Sequence, residues 1–205
     1  MEEEINTTEI KSNVERLELY SDNYPFNLSL RVQTFVNEAE YNKFIKNCEK
    51  TIRGCLEYRL WRNYITDVLQ IQSCSITNER MDQTNIDIHH HPISLFTIVK
   101  SIVNEKLEKE EQFCTFDICM EVIELHFKNT VGFVALLSDL HAKFHNGFLN
   151  IPKTLIKGNY QVFLEEYSKY LDEEELEIIQ ARLSITEHNC NWSAEDYPAF
   201  KEGIM

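Results

Sequence analysis

Glycine and proline are scarce in this chain, five and four among 205 residues. That scarcity excludes collagen-like and low-complexity architectures and points to regular, well-packed structure. No apolar run approaches the roughly 18–20 residues of a membrane-spanning helix, so no membrane role is expected. The opening stretch MEEEINTTEIKSNVERLELY is acidic and polar, unlike a secretory signal, and the expected location is cytoplasmic. Six cysteines (Cys48, Cys55, Cys74, Cys114, Cys119, Cys190) form no CxxC pair and no regular framework, which favours reduced thiols over a disulfide scaffold. Basic side chains are also few: 20 Lys and Arg face 34 Asp and Glu, a net charge of −14. A chain so acidic has no general affinity for a phosphate backbone, and any nucleic-acid surface must be local.

What the sequence does contain is 43% hydrophobic residues and 11% aromatics, enough to bury a mid-sized core. The pattern along the chain is that of an α+β protein, mostly helical with a small antiparallel hairpin at about residues 74–92 and 131–137. Three stretches follow. Residues 1–71 hold an alternating, strand-like run (Phe26–Phe35) and a long helix from Glu38 to about Leu69 with a Tyr41/Phe44/Ile45/Cys48/Ile52/Cys55/Leu56 stripe. Residues 72–150 hold CSITNERMDQTNIDIHHHP, read as a hairpin ending in a histidine strand. Two helices at 94–128 come next, the first capped by Ser94, then a GFVALL strand and the short helix SDLHAKFHNG. Residues 151–205 form an acidic helical segment, with Asp172 capping its second helix.

The long helix also carries Lys43, Lys46, Lys50 and Arg53 at spacings of 3, 4 and 3, opposite its apolar stripe. It is locally cationic within an acidic protein. The plain reading is a solvated face; the functional one is phosphate contact.

Five of the seven histidines fall in two clusters, His89-His90-His91 and His141/His145. Imidazole is the commonest transition-metal ligand. A strand with adjacent histidines and a helix with an i, i+4 pair can bring three ligands and a base to one ion. A zinc-protease reading fails, since Ala142 stands where HExxH requires glutamate. His126 lies on the apolar stripe of its helix and belongs to the core or supports the ligands.

The order of a strand with His-His, a second strand and a helix with HxxxH resembles the HNH, or ββα-metal, endonuclease family, closest to the colicin-type DNases. The pattern spans Cys74–Gly147. It is also similar to tailed-phage proteins with HHxPF and VHxxxH blocks, for which the location would be the host cytoplasm. The resemblance implies a ββα-metal core with a two-helix insertion and one divalent ion (Zn, Ni, Mn or Mg). His89, His141 and His145 would be ligands, and His90 the general base for hydrolysing phosphodiesters of a nucleic acid, DNA before RNA. The family's common spacing would instead name His89 the base and put Ile88 at the ligand position; the doublet assignment is preferred because isoleucine cannot bind a metal. His91 and Asn129 are supporting candidates. The family's middle Asn falls on Gly132 here, and Asn129, three residues earlier, substitutes only if the loop is shaped differently. The reading from another class is a non-catalytic acidic interaction protein that keeps the scaffold and binds a basic protein partner.

Overall fold

The computed structural model describes residues 32–82, 85–193 and 196. Its described helices are α1 (Glu38–Gly54), α2 (Leu56–Asn63), α3 (Leu95–Glu108), α4 (Thr115–Phe127), α5 (Ser138–His145), α6 (Tyr160–Tyr167) and α7 (Glu173–Leu183), with a π-turn at Tyr64–Val68. Strands β1 (Ile86–His90) and β2 (Phe133–Leu137) pair antiparallel, so the protein is α+β with helix dominant.

Helix α1 begins where Asn37 accepts a hydrogen bond from the Glu40 N–H. Its stripe points inward as the period requires: Phe44, Ile45, Cys48 and Ile52 are buried, while Lys43, Lys46, Lys50 and Arg53 are exposed. It packs on α3 and α4, which pack on each other. This three-helix layer, with Ile98, Ile102, Ile118 and Val122 at its centre, continues into the sheet through Trp61, Phe133 and Val134.

Three expectations are corrected here. The strand expected at Phe26–Phe35 lies partly outside the described residues; the described part, 32–35, is irregular. Its Gln33 N–H donates to the Phe113 carbonyl, and the Phe35 ring packs against Phe44 and Phe113. The helix expected to run unbroken to Leu69 stops at Gly54, because glycine tolerates a helix interior poorly. Cys55 is extended there, and its sulfur caps α2 by accepting from the Tyr58 N–H. Leu56 therefore leaves the stripe and is exposed, while Tyr58 and Trp61 become the inward face of α2. Third, residues 73–80 do not pair with the histidine strand. They close a local turn (Ser73 opposite Arg80) whose Ser75 N–H donates to the Ala135 carbonyl. The partner of β1 is β2, reached across α3 and α4.

Candidate metal centre

The β1–β2 register places Ile88 opposite Ala135, His89 opposite Val134 and His90 opposite Phe133, and the His91 N–H continues the ladder to the Gly132 carbonyl. No bulge interrupts it. Side chains therefore alternate strictly, with Asp87, His89 and His91 on one face and Ile86, Ile88 and His90 on the other.

Helix α5 follows β2 directly and packs on both strands. It starts at Ser138, with Leu137 in the cap position, and ends at His145; just beyond, Gly147 turns the chain with a φ of +74° that suits glycine. His141 and His145, one turn apart, face β1. The structure brings together His89, His141 and His145: one ring nitrogen from each lies within 4.8 Å of the others. His141 Nε2 is 3.0 Å from His89 Nδ1 and 2.9 Å from His145 Nε2.

On its far side, His141 Nδ1 is 3.1 Å from the Asp87 carboxylate. An ionised carboxylate only accepts, so Nδ1 carries the proton and Nε2 presents a lone pair to the other two rings. A single lone pair facing two ring nitrogens at hydrogen-bond distance is poorly matched to hydrogen bonding alone. It fits a cation shared by three imidazoles, with Asp87 orienting one of them from behind.

The surroundings disfavour protonation of His89 and His145. Burial pushes the His89 pKa down to about 2, helped by the neighbouring histidines and by Arg182. Burial, then His141, Arg182 and Arg53, lower His145. Arg182 arrives from α7, donating to the Pro92 carbonyl at 2.6 Å and lying over the Phe144 ring, which also packs on His89. A fixed cation beside the cluster favours unprotonated imidazoles, the form that ligates metal.

His90 is not part of this group. It points to the opposite face, is 3% exposed, and stacks on Trp61. Its Nε2 is 2.9 Å from His126 Nε2, and His126 Nδ1 is 2.6 Å from the Val122 carbonyl. Because a carbonyl only accepts, His126 Nδ1 carries hydrogen, His126 Nε2 accepts and His90 Nε2 donates. The remaining His90 Nδ1 is buried without a partner. The general-base assignment to His90 is therefore corrected: an unbulged strand cannot turn two adjacent residues to one site.

His91 shares the His89 face but is 1% exposed, with both ring nitrogens unpartnered, and burial followed by the Arg182 charge lowers its pKa to about 3. Asn129 sits at the end of α4 with φ +57°, its N–H donating to the His126 carbonyl and its own carbonyl accepting from the Asn159 N–H, and none of its described contacts reaches His89, His141 or His145. Gly132 has a steric reason: a Cβ there would fall 2.2 Å from the His91 carbonyl oxygen, so the asparagine of the ββα pattern has no room. Lys43, Lys46 and Lys50 line the exposed length of α1, and of this row only Arg53 acts electrostatically on His145. Asp87 and Arg182 were missed at the sequence level. Asp87 was detectable, two residues before His89 on the same strand face; Arg182 is brought in from far along the chain and had no local signal.

The fold and site thus define a small α+β protein with a three-histidine cluster on a ββα unit. It is a bacteriophage protein: the chain belongs to the bacteriophage G278-like virion protein family, whose model matches residues 1–200. No curated protein and no solved structure matches it.

Proposed function

We propose that this virion protein binds one divalent transition-metal ion through His89, His141 and His145 and acts as a ββα-metal phosphodiesterase on nucleic acid. The observation that carries the reading is the convergence of three ring nitrogens within 4.8 Å across a strand and the helix that follows its partner strand. Three protein ligands leave a position open, as in hydrolytic rather than purely structural zinc sites. An ion held there would supply Lewis-acid polarisation of a phosphoryl oxygen. The chain's own residues have separable tasks. Asp87 fixes the His141 tautomer, Phe144 walls the His89 ring, and Arg182 adds to the burial that disfavours protonation of His89 and His145 and offers positive charge beside them. His91 is the remaining imidazole on the reacting face. Family membership supports a place in the virion rather than free in the host cytoplasm.

A second reading is supported by the net charge of −14 and by the absence of His90 from the site. In it the ion pins α5 to β1, and the protein is a non-catalytic acidic module that binds a basic protein partner. The experiment that separates them is metal analysis joined to cleavage of plasmid and single-stranded DNA, with Mg²⁺, Mn²⁺, Ni²⁺ and Zn²⁺ supplied separately. About one ion per chain and chelator-sensitive cleavage lost in His141→Ala support the hydrolase. Metal without cleavage of any substrate supports the clasp, and no metal ends the hydrolase while leaving the acidic interaction protein.

A further inference from the structure

On the other face of β1, an open cleft of about 610 Å³ runs between the end of α1 and α2. Arg53, Arg59, Arg62, Asn63 and Thr66 line it, Tyr58 contributes to its inner wall, and none of its lining residues is a carboxylate. In a chain of net charge −14, three arginines around one concavity are a strong local reversal of sign. Arg53 is shared with Glu49 at 2.9 Å. Arg59 and Arg62 make no ion pair or hydrogen bond among the described residues, although carboxylates are abundant on this surface. Arg53 and Arg62 act on the inner wall of the cleft: burial raises the Tyr58 pKa, and these two charges pull it back. The cleft also reaches Ile88, the neighbour of His89 on β1.

We propose that this cleft is a binding groove for the phosphodiester backbone of a nucleic-acid strand, held by Arg59 and Arg62 with Arg53 at its rim. Guanidinium forks match phosphate oxygens in pairs, and a helical i, i+3 pair sets two of them about 5–6 Å apart along one direction. The Asn63 amide adds a neutral donor to the lining, while the Thr66 hydroxyl is engaged with the Asn63 carbonyl and the Asp67 carboxylate. The sequence pattern gave this role to Lys43, Lys46, Lys50 and Arg53; of these Arg53 lines the groove, and the three lysines stand on the exposed face of α1 away from its lining. It deepens the nuclease reading by naming how substrate is held, but its own chemistry does not need the metal.

The test is equilibrium binding of a fluorescein-labelled oligothymidylate to the full chain at about 50 to 200 mM salt. Arg59→Gln/Arg62→Gln is compared with Lys43→Gln/Lys46→Gln, which removes the same net charge. The arginine pair should weaken binding about tenfold or more at the lower salt and reduce the log–log salt slope by about two units. The lysine pair should change it little, and metal content should stay at the wild-type value in both. Equal weakening by both pairs, or no oligonucleotide binding at the lower salt, overturns the groove. Binding of polyglutamate in its place also overturns it and makes the occupant an acidic protein segment. Arginine-dependent binding in a His141→Ala protein that has lost metal leaves the groove standing whatever becomes of the hydrolase. Cleavage that survives with unaltered binding in the arginine variant does the reverse.

Discussion

Asp87 and His141 are joined by a 3.1 Å contact between the carboxylate and Nδ1, which fixes the ring's tautomer and turns Nε2 toward His89 and His145. Such a carboxylate behind a ligating imidazole raises its basicity and holds its plane. Asp87→Asn should therefore weaken metal binding about 10- to 100-fold while leaving the helical circular dichroism unchanged. Competition against a chromophoric chelator measures this, and wild-type affinity in the variant would show that His141 does not ligate through Nε2.

The two faces of β1 make opposite predictions for adjacent residues. His141→Ala and His145→Ala should lose bound metal and keep a folded chain, since both rings lie at or near the surface. His90→Ala should keep metal stoichiometry but lose about 2–4 kcal/mol of stability, because it opens a cavity beside Trp61 and strips the buried His126 Nε2 of its donor. Urea denaturation and metal analysis on the same preparations separate the outcomes; His90→Ala that loses metal at full stability would return His90 to the site.

Much of this was legible in the sequence where the signal is local and periodic. The α1 stripe, the Ser94 and Asp172 caps and the HxxxH turn each depend on a few residues of one element, and each lies in the structure where the period puts it. The His89–His141–His145 grouping followed from the same local logic, and its geometry is now visible as three converging nitrogens. The His90 assignment went astray because a motif-level preference for a histidine doublet was set above strand alternation, which had already separated the pair. The partner of β1 was partly misjudged for a different reason: the turn at 73–80 looks like half a hairpin, whereas the true pairing spans two helices. No local pattern announces Arg182, or an arginine cleft assembled where α1 breaks at Gly54.

Four histidines are buried uncharged, which ties stability to pH. Burial is the leading cause in each: it carries His126 to about 4, His91 to about 3 and His89 to about 2, and holds His90 well below its ordinary range. In the unfolded chain all four titrate near 6.5. Between those limits the unfolded state binds more protons, so stability is fully present above about pH 6.5 and falls as the pH drops toward the folded values. The slope is on the order of 1 kcal/mol per pH unit for each histidine. Metal-free protein should therefore show a melting temperature that is flat from pH 7 to 8 and drops steeply by pH 5. A flat profile down to pH 5 would mean these rings are not buried.

Gly132 joins β2 to the end of the histidine strand, and its lack of a side chain is a requirement of that junction. A Cβ would sit 2.2 Å from the His91 carbonyl oxygen and 3.0 Å from the Tyr160 Cβ. Neither is the far end of a flexible side chain. The His91 carbonyl belongs to the residue whose N–H pairs with Gly132 at 3.0 Å, so relieving the clash must pull the strands apart where His89 is anchored. Gly132→Ala should cost about 1–3 kcal/mol by overpacking, and Gly132→Asn more. Introducing an asparagine at this position should thus lower metal affinity along with stability. Thermal melts and metal titration of the two variants test this; a Gly132→Asn protein as stable as the parent, with tighter metal binding, would mean that the strand end can open without cost.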